Sequence, residues 1–254
     1  AFQEKSGWKP GSGINLADSD DFRLNLINLL QVQWAYTDND TGQDVTSFSV
    51  RRARTTLSGN AFGKNLNYLL RLDAVDTQGS IVKDAWVHWN FLADANTVGL
   101  RMGQGKPGFG LESTGLSSGL YFVERSAASR TFSDQRARGA WLFGSHEENK
   151  LRWNVGAQND DVARGSTGLF GGEEVNNPDN TLNFVGNVSF DPLGDITGGK
   201  GNEGIKQGDF GDIKDMKGTI GAGVEIGNNR NAANTQDRSE EHTSELQSPC
   251  NLVC

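Results

Sequence analysis

Read along the chain, apolar and polar side chains alternate with a period of two, in segments of about ten residues. From Phe22, the even positions are Phe22, Leu24, Leu26, Asn28, Leu30, Val32, Trp34 and Tyr36, while Arg23, Asn25, Gln31 and Gln33 occupy odd ones. The same pattern predicts strands around Leu66–Asp73, Asp84–Phe91, Val98–Gly103, Leu151–Gln158, Leu182–Asp191 and Thr219–Ile226. Two further strands are less regular. Phe48 and Val50 begin an alternation that Arg51-Arg52 interrupts, which predicts a β-bulge or a wetted strand end there. Arg136 and Arg138 share one face of a segment whose other face carries Trp141 and Phe143. That makes nine strands and no amphipathic helix of useful length, so the fold class is all-β.

Such alternation suits a soluble β-sandwich, with its apolar face against a second sheet, or a transmembrane barrel, with its apolar face in lipid. Three details favour the barrel. Full charges sit mid-strand on the polar faces (Arg71, Asp84, Arg101, Arg152), as a wet lumen permits. Aromatic residues gather near strand ends, as Trp34 with Tyr36 and Trp89 with Phe91, like the girdles at membrane interfaces. Small residues on the polar side, among them Gly99, Gly103, Gly156, Gly221 and Gly223, leave room for a channel.

Composition agrees. The 254 residues include 33 glycines, 5 prolines and 2 cysteines, a turn-rich β composition that cannot be a disulfide scaffold. No apolar run approaches the roughly 18 residues of a spanning helix. The net charge of -8 gives no footprint of a nucleic-acid binder, but its distribution is uneven. Residues 1–50 carry -4, residues 51–152 carry +5 and residues 153–254 carry -9. Ten of the 14 basic side chains in the central third are arginines, which stay charged in any environment and grip anions with a planar fork.

The ends are atypical. Residues 1–21 lead into the first long strand, with no initiator Met or apolar leader before them. Residues 238–254 begin Arg-Ser-Glu-Glu-His-Thr-Ser-Glu-Leu-Gln-Ser, which resembles a translated sequencing adapter. Cys250, Cys254 and His242 all lie there and make an incomplete zinc shell, so no metal or cofactor is expected. The expected genuine body is residues 22–237, a truncated gene product.

An ordered series of segments resembles the phosphate-selective porins O and P of bacterial outer membranes. It comprises Asp20-Asp-Phe-Arg-Leu-Asn-Leu-Ile-Asn-Leu-Leu-Gln-Val-Gln33, Phe48-Ser-Val-Arg-Arg-Ala-Arg54 with Leu57-Ser-Gly59, Tyr68-Leu-Leu-Arg-Leu-Asp73 and Val82-Lys-Asp-Ala-Trp-Val87. Most specific are Gly103-Gln-Gly-Lys-Pro-Gly-Phe-Gly-Leu-Glu112 and Phe122-Val-Glu-Arg-Ser126. The resemblance implies a sixteen-stranded antiparallel barrel, a homotrimer in outer-membrane lipid, that passes small inorganic anions such as phosphate through a narrow basic constriction. It also implies that a long loop, here about 109–135, folds back into the lumen. Nine strands in 237 residues, at ~26 residues per strand, extrapolate to ~420 for sixteen, a size at which barrels leave a channel. The sequence departs from the family in two places. Gly105 stands where a bulky aromatic is usual, and a glycine-rich insert at 194–211 falls, by strand parity, at the periplasmic end where turns should be short.

Rings of arginine and lysine underlie anion pores. The expected pathway is Arg71, Arg101, Arg136, Arg138 and Arg152 on lumen faces, with Lys106, Arg125 and Arg130 on or beside the loop. The competing reading is that several of these pair with Asp73, Asp84, Glu112, Glu124 or Asp134 and only brace the loop. Glu112 and Glu124 as a glycosidase pair, Asp209-Phe-Gly211 as a kinase motif and Gly103-x-Gly-x-x-Gly108 as a dinucleotide loop all lack their required contexts. His88 reads as lumen lining, and no enzymatic chemistry is expected. Two other functions stay open: a general diffusion porin without phosphate preference, and a secreted β-sandwich binding glycans through its tryptophans.

Overall fold

A computed structural model describes residues 13–40, 42–75, 81–93, 97–122, 124–132, 136–146, 150–159, 182–198, 204–205, 207 and 216–227. Ten strands follow one another: β1 (Ile14–Asp18), β2 (Arg23–Thr37), β3 (Val45–Ala61), β4 (Leu66–Asp73), β5 (Val82–Ala93), β6 (Thr97–Gly105), β7 (Ala137–His146), β8 (Leu151–Gln158), β9 (Asn183–Phe190) and β10 (Ile220–Ile226). They form a single antiparallel sheet in chain order. No strand contains a proline, so no ladder donor is missing.

A sandwich would need a second sheet, and among the described residues all ten strands lie in one. It would also need a core. Among the described residues only Leu69, Val82, Ala137, Trp141 and Val185 are buried hydrophobic side chains. Large apolar groups instead stand exposed along one face: Leu30, Val32 and Trp34 on β2, Phe48 on β3, Val87, Trp89 and Phe91 on β5, Met102 on β6, Val155 on β8 and Phe184, Val188 and Phe190 on β9. A contiguous apolar surface of this extent is untenable in water and is what lipid covers.

The nine strands legible from alternation are all present. β1 is an addition to them: Ile14, Leu16 and the residues between them give too few alternating positions to register in the sequence. At the Arg51-Arg52 interruption, Gln31 lies opposite Arg52 while Val32 lies opposite Val50, so Arg51 is the extra residue of a bulge.

The connections sort by sheet edge. By the strand bounds, three to four residues separate β1 from β2, β3 from β4, β5 from β6 and β7 from β8 at one mouth, while the connections after β2, β4, β6 and β8 at the other are longer. Short turns mark the periplasmic side of outer-membrane barrels. The exception is 191–219, a long connection at the short-turn mouth. Strand mis-assignment does not explain it, since β9 and β10 pair continuously from Phe190↔Ile220 to Phe184↔Ile226. The adapter-like tail and its cysteines lie outside the described residues.

Candidate functional site

The polar face of the sheet carries the connection 106–136, which holds α1 (Leu111–Thr114), a 3-10 turn at Ser117–Gly119 and α2 (Ala127–Phe132). Gly108, at φ 87°, turns the chain across the strands. A Cβ there would approach the Asn154 side chain to 2.8 Å, and Asn154 Nδ2 donates to Pro107 O at 2.9 Å. Phe109 then packs on Ala137, Trp141 and Val185, a small apolar seat inside an otherwise polar face. Lys106 is buried, and its Nζ donates to the carbonyls of Ser113 (2.8 Å), Thr114 (3.2 Å) and Gly115. A cation thus satisfies the orphan carbonyls at the end of α1. Gly105 admits Trp86, whose Cδ1 would lie 3.0 Å from a Cβ at that position. The ring of β5 fills the space that a larger residue would take.

Cations crowd the region that this connection crosses. The bulge in β3 lets consecutive arginines reach one carboxylate: Arg51 and Arg52 both bind Glu124, and Arg52 Nη1 also donates to Gln31 Oε1 at 2.8 Å. Arg54 Nε donates to Asp73 Oδ2 at 2.7 Å and its Nη1 to Ser117 Oγ at 2.8 Å. Asp84 accepts from Arg71 Nη1 at 2.5 Å and from Arg136 Nε at 2.9 Å. Arg125 donates only to backbone among these contacts, to Glu112 O at 3.0 Å and Gly115 O at 2.7 Å. Burial, with Arg136, Arg52 and Arg54 close by, pushes the Arg125 guanidinium down to about 10, so it is charged at neutral pH. Burial alone would raise Glu112, but hydrogen bonds from Ser126 and Gln207 outweigh it and hold this carboxyl below its usual range.

An apolar outer face, a polar inner face and a folded-in basic loop are the parts of an outer-membrane channel. The model of the phosphate-selective porin O and P family matches residues 28–194. The chain belongs to this family. The porin therefore resides in the bacterial outer membrane, and its family is one of channels rather than enzymes. No curated protein matches the chain.

The remaining candidates are dispersed over this porin. Arg152 is buried on the inner face, paired with Asp191 at 2.5 and 2.9 Å. Arg101 lies on the same face with its Cζ 4.2 Å from the Trp86 ring centroid and 4.5 Å from that of Phe143, a cation between two rings. Arg130 sits on α2, and its side chain lies outside the described residues, as does Asp134.

Arg138 faces the other way. Gln104 lies opposite both Ala85 and Arg138, on the side that carries Val87 and Met102, and Arg138 Nε donates to Gln104 Oε1 at 2.9 Å. Trp141 and Phe143 are among the inward residues of β7. Alternation separates two faces but not which is wet, and charge is a poor guide at a strand's first turn, where the outer face meets headgroups.

His88 points inward, with Nε2 2.8 Å from Asn90 Oδ1, and no metal-binding cluster exists among the described residues. Arg51, Arg52 and Arg54 join this basic cluster, although the alternation does not place them on the expected pathway. The broken alternation at Arg51-Arg52 was the signal, since a bulge brings successive side chains to one side.

Proposed function

We propose that this porin passively conducts small anions, phosphate or phosphate-like, through an arginine-lined lumen constricted by the 106–136 connection, in a sixteen-stranded trimeric barrel. The observation that supports this reading is a charge imbalance at the crossing. Among the described residues, Arg51, Arg52, Arg54, Arg71, Arg125, Arg136 and Lys106 face Asp73, Asp84, Glu112 and Glu124, so the carboxylates brace the cations without neutralising them all. Uncompensated positive walls lower the energy of an anion leaving bulk water and repel cations. Lys106, with its ammonium protons directed at carbonyls, serves in this reading as the support of the loop, and Arg125 as its charged tip.

The test is the zero-current potential of the porin, purified from outer membranes, in a planar bilayer under a salt gradient. An anion-selective potential is expected, moving toward zero when Arg52, Arg54 and Arg125 are together replaced by Gln in a barrel that still folds. A wild-type potential near zero leaves a general diffusion porin, and a cation-selective one removes the anion reading altogether.

A further inference from the structure

The described residues of the long connection at the short-turn mouth lie against the inner face and the loop. The root of this connection is pinned to the inner face of β8. Asp191 is fully buried against Arg152 and also accepts the amide of Ile196 at 3.0 Å, while Lys217 Nζ donates to Asp195 O at 3.1 Å. Further along, Gln207 reaches the loop that enters from the opposite mouth. Its amide donates to Gly119 O at 2.7 Å, its Oε1 accepts from the Tyr121 amide at 2.9 Å and its Nε2 donates to Glu112 Oε1 at 3.0 Å. Ile205 O would lie 3.2 Å from a Cβ on Gly115, so the two backbones run in contact.

We propose that Gln207, from the β9–β10 connection, clamps the 106–136 loop, so that the aperture is set from both mouths. The inference rests on the channel reading above. The geometry specifies what the clamp holds. Glu112 O and Gly115 O are the two acceptors of Arg125, and Gln207 grips the Glu112 carboxylate on the same turn. Gln207 is therefore a positioning residue, acting on the Arg125 guanidinium through α1.

The test is single-channel recording on the porin purified from outer membranes, with Gln207→Glu, Glu112→Gln and the double variant. Q207E sets a carboxylate against Glu112. The expected result is higher open-channel noise and an anion-to-cation permeability ratio lower roughly two- to fivefold, the scale of one lost hydrogen bond. Heat-modifiable migration on gels should stay that of a folded barrel. The double variant E112Q/Q207E restores the donor–acceptor pair with reversed polarity and should recover quiet, wild-type currents. Gln207→Ala, which adds no charge, should give the same change in milder form. Q207E and Q207A indistinguishable from wild type in folded barrels, or no recovery in the double variant, would overturn the clamp. A wild-type porin without anion preference would defeat the channel-selectivity reading alone, because noise and its rescue still judge the clamp.

Discussion

At the scale of single residues, what separates a bracing charge from a conducting one is burial. Asp84 is 2% exposed and lies between two guanidiniums, Arg71 from the neighbouring strand and Arg136 where the loop returns to the sheet. Asp84→Asn would leave both cations without their countercharge in a site already stripped of water. Breaking a buried pair from one side typically costs about 3–5 kcal/mol. D84N should therefore lower the unfolding temperature of the detergent-solubilised barrel markedly. Glu124→Gln should move it less, since a third of the Glu124 side chain is open to solvent and Arg52 keeps Gln31 as a partner. Equal shifts in the two variants would mean that Asp84 is not the buried keystone described here. Lys106 follows the same logic. A lysine ammonium directed at three carbonyls is the stopper of a helix before it is anything else, although its sequence neighbours present it as pore lining.

At the scale of elements, the 106–136 connection is held by hydrogen bonds whose partners are separated by many residues, and this gives it an acid limit. The Glu112 carboxyl accepts from the Ser126 amide at 3.1 Å, from Ser126 Oγ at 2.5 Å and from Gln207. Its folded value lies below the ordinary one, so its contribution is fully present above the unfolded glutamate range, near 4.3, and is lost as pH falls through the lower folded value. Open-channel noise should thus stay flat from neutral pH through the usual glutamate range and climb only below it. In Glu112→Gln that acid rise should be absent, its noise being elevated already at neutral pH. A rise centred at or above the ordinary value would contradict the network. The strands around this loop were legible in the sequence because β2, β5, β8 and β9 each keep their period over eight or more residues. The bulge was legible for the complementary reason, a local failure of that period. What alternation could not show is which face of β7 is wet, because Trp141 and Phe143 look like lipid-facing residues and are instead the seat and the cation platform of the loop. Nor could it show that Gln207 meets Glu112, since pairing between two irregular segments leaves no periodic trace.

For the whole molecule, the assignment of faces decides everything else, because the loop, the basic cluster around it and Gln207 all lie on the side away from lipid. The tryptophans report on it. Trp34, beside Tyr36 and opposite Phe48, stands exposed near the long-loop mouth; Trp89, near Phe91, stands exposed toward the short-turn mouth, with Trp153 on the same outer face against Gly144. These positions match two girdles at the membrane interfaces. Trp86 and Trp141 lie on the inner face, Trp141 fully buried and donating from Nε1 to Gln158 Oε1 at 3.0 Å. Single-tryptophan variants reconstituted in vesicles of brominated lipid should therefore divide. Those retaining Trp34, Trp89 or Trp153 should be strongly quenched, and those retaining Trp86 or Trp141 should be nearly unaffected. Quenching of Trp141 comparable with that of Trp89 would invert the faces of β7 and place the basic cluster against hydrocarbon, where so many charges are too costly to persist. The expected division instead leaves those cations one place to act, the water-filled side of the sheet.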